Sequence, residues 1–191
     1  ALDFWSINDH AESLTPRIWE DTLSTIRECN ATAGDPANPD MVSFAGWEWS
    51  NTDMKDASNH FGHKNVIFRQ WEPGAVPARP IASQPSDVFS SMPRMMLGAL
   101  VFSEGLEAAL NFGHYFTEST TIAACPDDVP VTELPNDCRE AALTPTRLYQ
   151  KLEEWGFDSI VIPHGLAWGT TNPTSADFRN QLDGFQARYE K

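Results

Sequence analysis

Apolar and polar positions along the chain alternate between two patterns. Short apolar runs bounded by Asn, Asp, Gly or Pro predict strands, and stretches with apolar residues three or four apart predict helices. The run "LDFWSI" ends at "NDH" and predicts a first strand buried on both faces. "MVSFAGWEW", "KNVIFRQW" and "DSIVIPHG" predict three more. Between the first two lies "TPRIWEDTLSTIRECN", with Thr15 as N-cap, Pro16 as first helical residue and Trp19, Leu23 and Ile26 on one face. "TPTRLYQKLEEWG" repeats that grammar, with Thr144 as cap, Pro145 behind it, Leu148, Leu152 and Trp155 as stripe and Gly156 as stop.

The segment 73–140 breaks the pattern with prolines and paired methionines, and holds one short helix around "EGLEAALNF". It is expected to be an insertion on the scaffold. Strand, helix and strand on either side of it give the order of an α/β fold with a mostly parallel sheet. The chain is expected to form a single domain over 1–191. It opens directly on a strand-like run, so an earlier strand and the remainder of a longer chain are expected before Ala1.

Composition narrows the class. The formal charge of −14 would repel a phosphate backbone, so no nucleic acid is expected as partner. No apolar window approaches the roughly 18 residues of a membrane span. Cys125 and Cys138 bracket a Pro- and Asp-rich loop. A disulfide there would close a short loop and point to an oxidising compartment, periplasmic or extracellular; the alternative is two exposed thiols. Cys29, on the first predicted helix, is expected to be a small buried apolar residue.

The histidines carry the chemistry. His10 ends the first predicted strand, Glu48 lies at the end of the second between two tryptophans, and His164 ends the last. His60 and His63 precede the third strand, and His63 fits less well because it begins a strand. In parallel α/β folds the C-terminal strand ends meet on one face. Imidazole and carboxylate groups gathered there are the ligand set of Zn, Mn or Fe. Each group also has a structural reading: Asp9 and His10 as a turn, Glu48 paired with an arginine, His164 as a hydrogen-bonded turn residue. His114 falls in the weakly patterned segment and is read as structural. No nucleophile elbow, P-loop or dinucleotide fingerprint is present.

Four segments in order, "LDFWSINDHAE", "FAGWEWS", "HKNVIF" and "SIVIPHG", resemble the PHP-like (polymerase and histidinol phosphatase) superfamily of metal-dependent phosphoesterase-like domains. They are closest to the family catalogued as domain of unknown function 3604, with its "DFxAVTDHAE", "GYEW", "HRNVIF" and "IPHN" segments. The resemblance implies an α/β fold that is part of a distorted (β/α)₇ barrel. It implies that His10, Glu48, His63 and His164 hold divalent metal ions, with Asp9 beside His10 in the catalytic motif. Glu12 matches the glutamate of "DHAE" and receives no role beyond supporting a ligand. Gly165 stands where the family has Asn after the last histidine. The H-x-H that opens such domains is not in the chain, nor is a late ligand motif after His164.

Two functions stay open on the sequence. One is a metal-dependent hydrolase of phosphate esters or related oxyanionic small molecules, working through metal-activated water. The other is a non-catalytic scaffold of the same family within a larger extracytoplasmic protein.

Overall fold

The computed structural model describes residues 2–52, 56–85 and 105–164. β1 (Phe4–Ser6) leads through a short turn to α1 (Pro16–Thr32). A small hairpin, β2 (Gly34–Asp35) and β3 (Asn38–Pro39), precedes β4 (Val42–Phe44) and β5 (Gly46–Asn51). β6 (Gly62–Phe68) and β7 (Ile81–Ala82) follow, then α2 (Leu106–Thr121), β8 (Glu140–Ala141), α3 (Pro145–Trp155) and β9 (Ser159–His164).

Both capped helix starts and the end of α3 are where the sequence puts them, whereas α1 runs on to Thr32 and the short helix expected around "EGLEAALNF" spans Leu106–Thr121. Thr15 Oγ1 accepts the Ile18 amide and Thr144 Oγ1 accepts the Arg147 amide, each with proline behind the cap. Gly156 closes α3 in the left-handed region, at φ 71°. Trp19, Leu23 and Ile26 are the buried stripe of α1, whereas Cys29 is only half-buried.

The described residues do not form the expected parallel barrel. The largest sheet, β5–β6–β9, is antiparallel throughout, and the described residues close no barrel. Parallel strands pair only in the two-stranded sheets β1–β4 and β7–β8 among the described residues. The connection between β5 and β6 covers residues 52–61, shorter than the dozen or so residues of a parallel crossover. Apolar runs also mark strands without marking their surroundings. Leu2 and Phe4 of the first run and Ile160 and Ile162 of the last are exposed, so neither run is buried on both faces.

One face of β5–β6–β9 makes the core. Trp47, Trp49, Val66, Phe68 and Val161 pack there against Trp19 and Leu23 of α1 and Leu148, Tyr149 and Leu152 of α3. Trp47 meets Trp19 edge-on at 5.4 Å and Phe68 at 4.9 Å. Two indole N–H groups find carbonyls: Trp19 donates to Pro77 at 2.8 Å and Trp49 to Ala142 at 2.9 Å, whereas the buried Trp47 N–H has no partner among the described residues. Val76, Ile81 and Ala82 share this core, so the ends of the 73–140 segment are woven into the scaffold. One cluster of buried charges is matched as well. Glu140 takes Arg79 at 2.9 Å and Lys151 at 3.1 Å, and the Arg79 guanidinium lies 5.1 Å above the Trp155 ring.

The first strand is tied to the sheet at a glycine. A Cβ on Gly46 would lie 2.6 Å from the Val66 carbonyl and would collide with Asn8 Oδ1. That close approach lets residues 6–10 run beside β5 and end in the parallel bridge between His10 and Glu48. At the far end, Cys125 and Cys138 form a disulfide with Cα atoms 5.0 Å apart. Arg139, the next residue, donates to the Glu12 carbonyl at 2.7 Å and to the Ser119 carbonyl at 3.3 Å. No described helix is long and apolar enough to cross a membrane.

Two outcomes follow from this packing. Gly46→Ala should destabilise the protein by about 1–3 kcal/mol, because a backbone carbonyl cannot swing aside. Chemical denaturation measures it, and an unchanged midpoint would contradict the close approach. Replacing Cys125 and Cys138 together by Ala should cost about 3 kcal/mol, the entropy of a loop of this length. In that variant, added reductant should no longer alter the midpoint.

Candidate metal centre

The alternation of β5 that buries Trp47 and Trp49 turns Glu48 and Ser50 to the opposite face. Antiparallel register then sets the row. Ser50 pairs with His63 of β6, and His63 pairs with His164 of β9. This resolves the misfit of His63. The start of β6 lies beside the end of β5, so a residue that begins its strand reaches the residues that end theirs. His10 arrives from the first strand through its bridge to Glu48.

Three imidazoles therefore surround one carboxylate. His63 Nδ1 hydrogen-bonds Glu48 Oε1 directly. His10 Nε2 lies 3.8 Å from Glu48 Oε1, and His164 Nε2 lies 3.5 Å from Glu48 Oε2. The His63 ring centre is 6.0 Å from that of His10 and 5.5 Å from that of His164. His60 is fully buried earlier in the chain, so His63 is the histidine of this pair that meets Glu48. Asp9 contributes through its main chain, its carbonyl accepting the Glu48 amide at 2.9 Å. Its side chain is exposed. His114 lines a separate groove of about 970 Å³ between α1 and α2, with Arg17, Phe112 and Glu118. Gly165 lies outside the described residues.

Two neighbours escape a search for ligands because neither is one. Ser50 Oγ lies 2.8 Å from Glu48 Oε1, 2.8 Å from His10 Nδ1 and 3.1 Å from His63 Nδ1. Asn65 Oδ1 stands 3.2 Å from His164 Nε2. The signal for both was alternation: they share a sheet face with Glu48 and His63 by strand parity.

Ionised Glu48 only accepts, so the Ser50 hydroxyl donates to it. The His63 Nδ1–H goes to Glu48 Oε1 directly, which leaves Ser50 Oγ as an acceptor for His10 Nδ1–H. Burial alone would push the Glu48 carboxyl up. Hydrogen bonds from His63 and Ser50 and the positive potential of His10 and His63 outweigh it and hold the group at about 2. Burial pulls His164 down, against the attraction of Glu48 and with help from His63, Lys64 and His10. His164 is thus kept in the neutral form that a metal requires.

The donor set suits a borderline cation: three imidazoles, a carboxylate and no thiolate. Two ligands on bonds of about 2.1 Å at a tetrahedral angle stand about 3.4 Å apart, close to the His164 and His10 spacings from Glu48. Even so, among the described residues no three His, Cys, Asp or Glu side chains form a group that could hold a metal ion. The His63–Glu48 contact explains this, because the two groups bond to each other rather than facing a shared point.

Neither models of protein families, nor curated protein sequences, nor solved structures give any match to the chain.

The depressed Glu48 value has a consequence for acid stability. A carboxyl lowered by folding stabilises fully above its unfolded value, near 4.3, and loses that stabilisation as pH falls through about 2. Metal-free Glu48→Gln should be less stable by about 1–3 kcal/mol at neutral pH, with a flatter loss between about pH 5 and 2. Urea midpoints across that range measure it. Parallel profiles for both proteins would contradict the assignment.

Proposed function

We propose that the chain is a metal-dependent hydrolase of phosphate esters or related oxyanionic small molecules, centred on Glu48. The observation that carries this reading is the convergence of His10, His63 and His164 on one carboxylate from three different strands. The four-segment resemblance to PHP-like proteins supplies the reaction class, although the described residues close no barrel.

Glu48 offers an oxygen to each side, Oε1 toward His10 and His63 and Oε2 toward His164. His10, His63 and His164 would complete the shell around Zn, Mn or Fe. Such a cation acidifies bound water and offsets charge on phosphoryl oxygens. Ser50 Oγ lies within hydrogen-bond distance of both the His10 and the His63 imidazole. Asn65 Oδ1 faces the same His164 nitrogen that faces Glu48, so ligation through Nε2 requires that amide to give way. Asp9, exposed next to His10, is the motif's acid at the solvent edge. With a formal charge of −14, the chain has little general attraction for an anionic ester, so substrate capture falls to the centre itself.

The contracted geometry favours a second reading. Glu48, already bonded to His63 and Ser50, needs no cation, and the same cluster then serves as a polar tie in a non-catalytic scaffold. Metal analysis separates the two. The hydrolase reading expects bound Zn, Mn or Fe in the purified chain, and its loss in His10→Ala and Glu48→Ala together with a drop of at least about 100-fold in hydrolysis of an aryl phosphate. Equal metal content and activity in the unaltered chain and both variants would leave the scaffold.

A further inference from the structure

Glu12 is a carboxylate that the fold buries and leaves half used. The residue is only 4% exposed. Its Oε1 accepts the Ser83 amide at 2.7 Å and stands 3.5 Å from the Ser50 amide. Its main-chain carbonyl is held by Arg139 at 2.7 Å. Oε2, equally buried, has no hydrogen-bond partner. A buried carboxylate oxygen without a donor costs free energy, so its surroundings should show what it is kept for. Oε2 stands 3.9 Å from His10 Nδ1.

We propose that Glu12 is the positioning residue of His10. Its carboxylate keeps the imidazole proton on Nδ1 and so leaves Nε2, the nitrogen facing Glu48, as a bare lone pair. Glu12 is anchored at Oε1 and at its carbonyl, whereas the His10 side chain is 55% exposed and has room to turn. A small rotation of the ring brings Nδ1–H onto Oε2. Ser50 Oγ, at 2.8 Å, shares that proton but is also shared with His63. A charged acceptor makes the stronger bond. When His10 ligates a cation through Nε2, its Nδ1–H becomes the better donor, giving a carboxylate–histidine–metal relay. That last step rests on the metal reading; the choice of tautomer does not.

Glu12→Gln is nearly isosteric and makes the test sharp. The Ser83 amide retains the amide oxygen of the new side chain, so its NH₂ is turned toward His10 Nδ1. Donor then faces donor, and the imidazole proton should move to Nε2.

The full chain is labelled with ¹⁵N-histidine, freed of metal and held well above the usual imidazole range. Long-range ¹H–¹⁵N correlation reads the tautomer, and His10 is assigned by its loss in His10→Asn. The unaltered chain and Ser50→Ala should both show His10 Nδ1–H, and Glu12→Gln should show Nε2–H. Retention of Nδ1–H in Glu12→Gln, or its loss in Ser50→Ala, overturns the proposal. If Glu12→Gln fails to fold, Ser50→Ala alone decides. Cobalt titration followed by visible absorption then tests the link to the metal. Glu12→Gln should bind cobalt about 10–100-fold more weakly than the unaltered chain. Equal affinity in a variant whose tautomer has switched overturns that link. An unaltered chain that takes up no cobalt refutes the metal reading and leaves the tautomer result to stand by itself.

Discussion

The side-chain alternation of the antiparallel sheet β5–β6–β9 is the constraint on which everything else depends. A strand buried on one face has no freedom of register, since a slip of one residue would turn every side chain over. Trp47 and Trp49 fix β5, Val66 and Phe68 fix β6, and Val161 fixes β9. Their burial sends Glu48, Ser50, His63 and Asn65 to the other side as a matter of parity. The polar cluster is the reverse face of the hydrophobic core. Indole and phenyl packing sets its placement, and its own hydrogen bonds add to that.

That arrangement leaves an unusual concentration of imidazole around a single acid. Glu48 stays ionised despite burial because hydrogen bonds and nearby positive potential outweigh desolvation. His164 is pushed toward neutrality by the same burial. The two effects move the groups toward the protonation states that bind cations. They also make the cluster self-sufficient, which is why it draws together instead of holding an open coordination sphere. The brace behind it is longer in reach: the Cys125–Cys138 disulfide ends beside Arg139, and Arg139 grips the carbonyl of Glu12 two residues after His10.

Much of this was legible in the chain, for reasons that can be named. Thr15 with Pro16, and Thr144 with Pro145 and Gly156, are local signals whose physics acts within one turn, and they mark the helix ends correctly. The pairing of Cys125 with Cys138 follows from two cysteines around a loop with little to pack. Strand direction was not legible, because periodicity reports which face is apolar and is silent on which way the chain runs. The parallel reading therefore failed, and with it the barrel. It also made His63 look misplaced, whereas in the antiparallel sheet the head of β6 belongs beside Ser50 and His164. The apolar runs at the first and last strands misled in another way. Phe4, Ile160 and Ile162 are exposed, and hydrophobicity in a strand does not require burial. Ser50 and Asn65 passed unnoticed because they act on ligands and are not themselves ligands.

The central claim is that Glu48 gathers His10, His63 and His164 into one cation site. An anomalous difference map from crystals of the chain soaked in zinc tests it most directly. The account predicts a peak bonded to Glu48 and to at least two of the three histidines, at about 2.0–2.2 Å. A map with no peak at Glu48, or with zinc held only elsewhere on the surface, would contradict it.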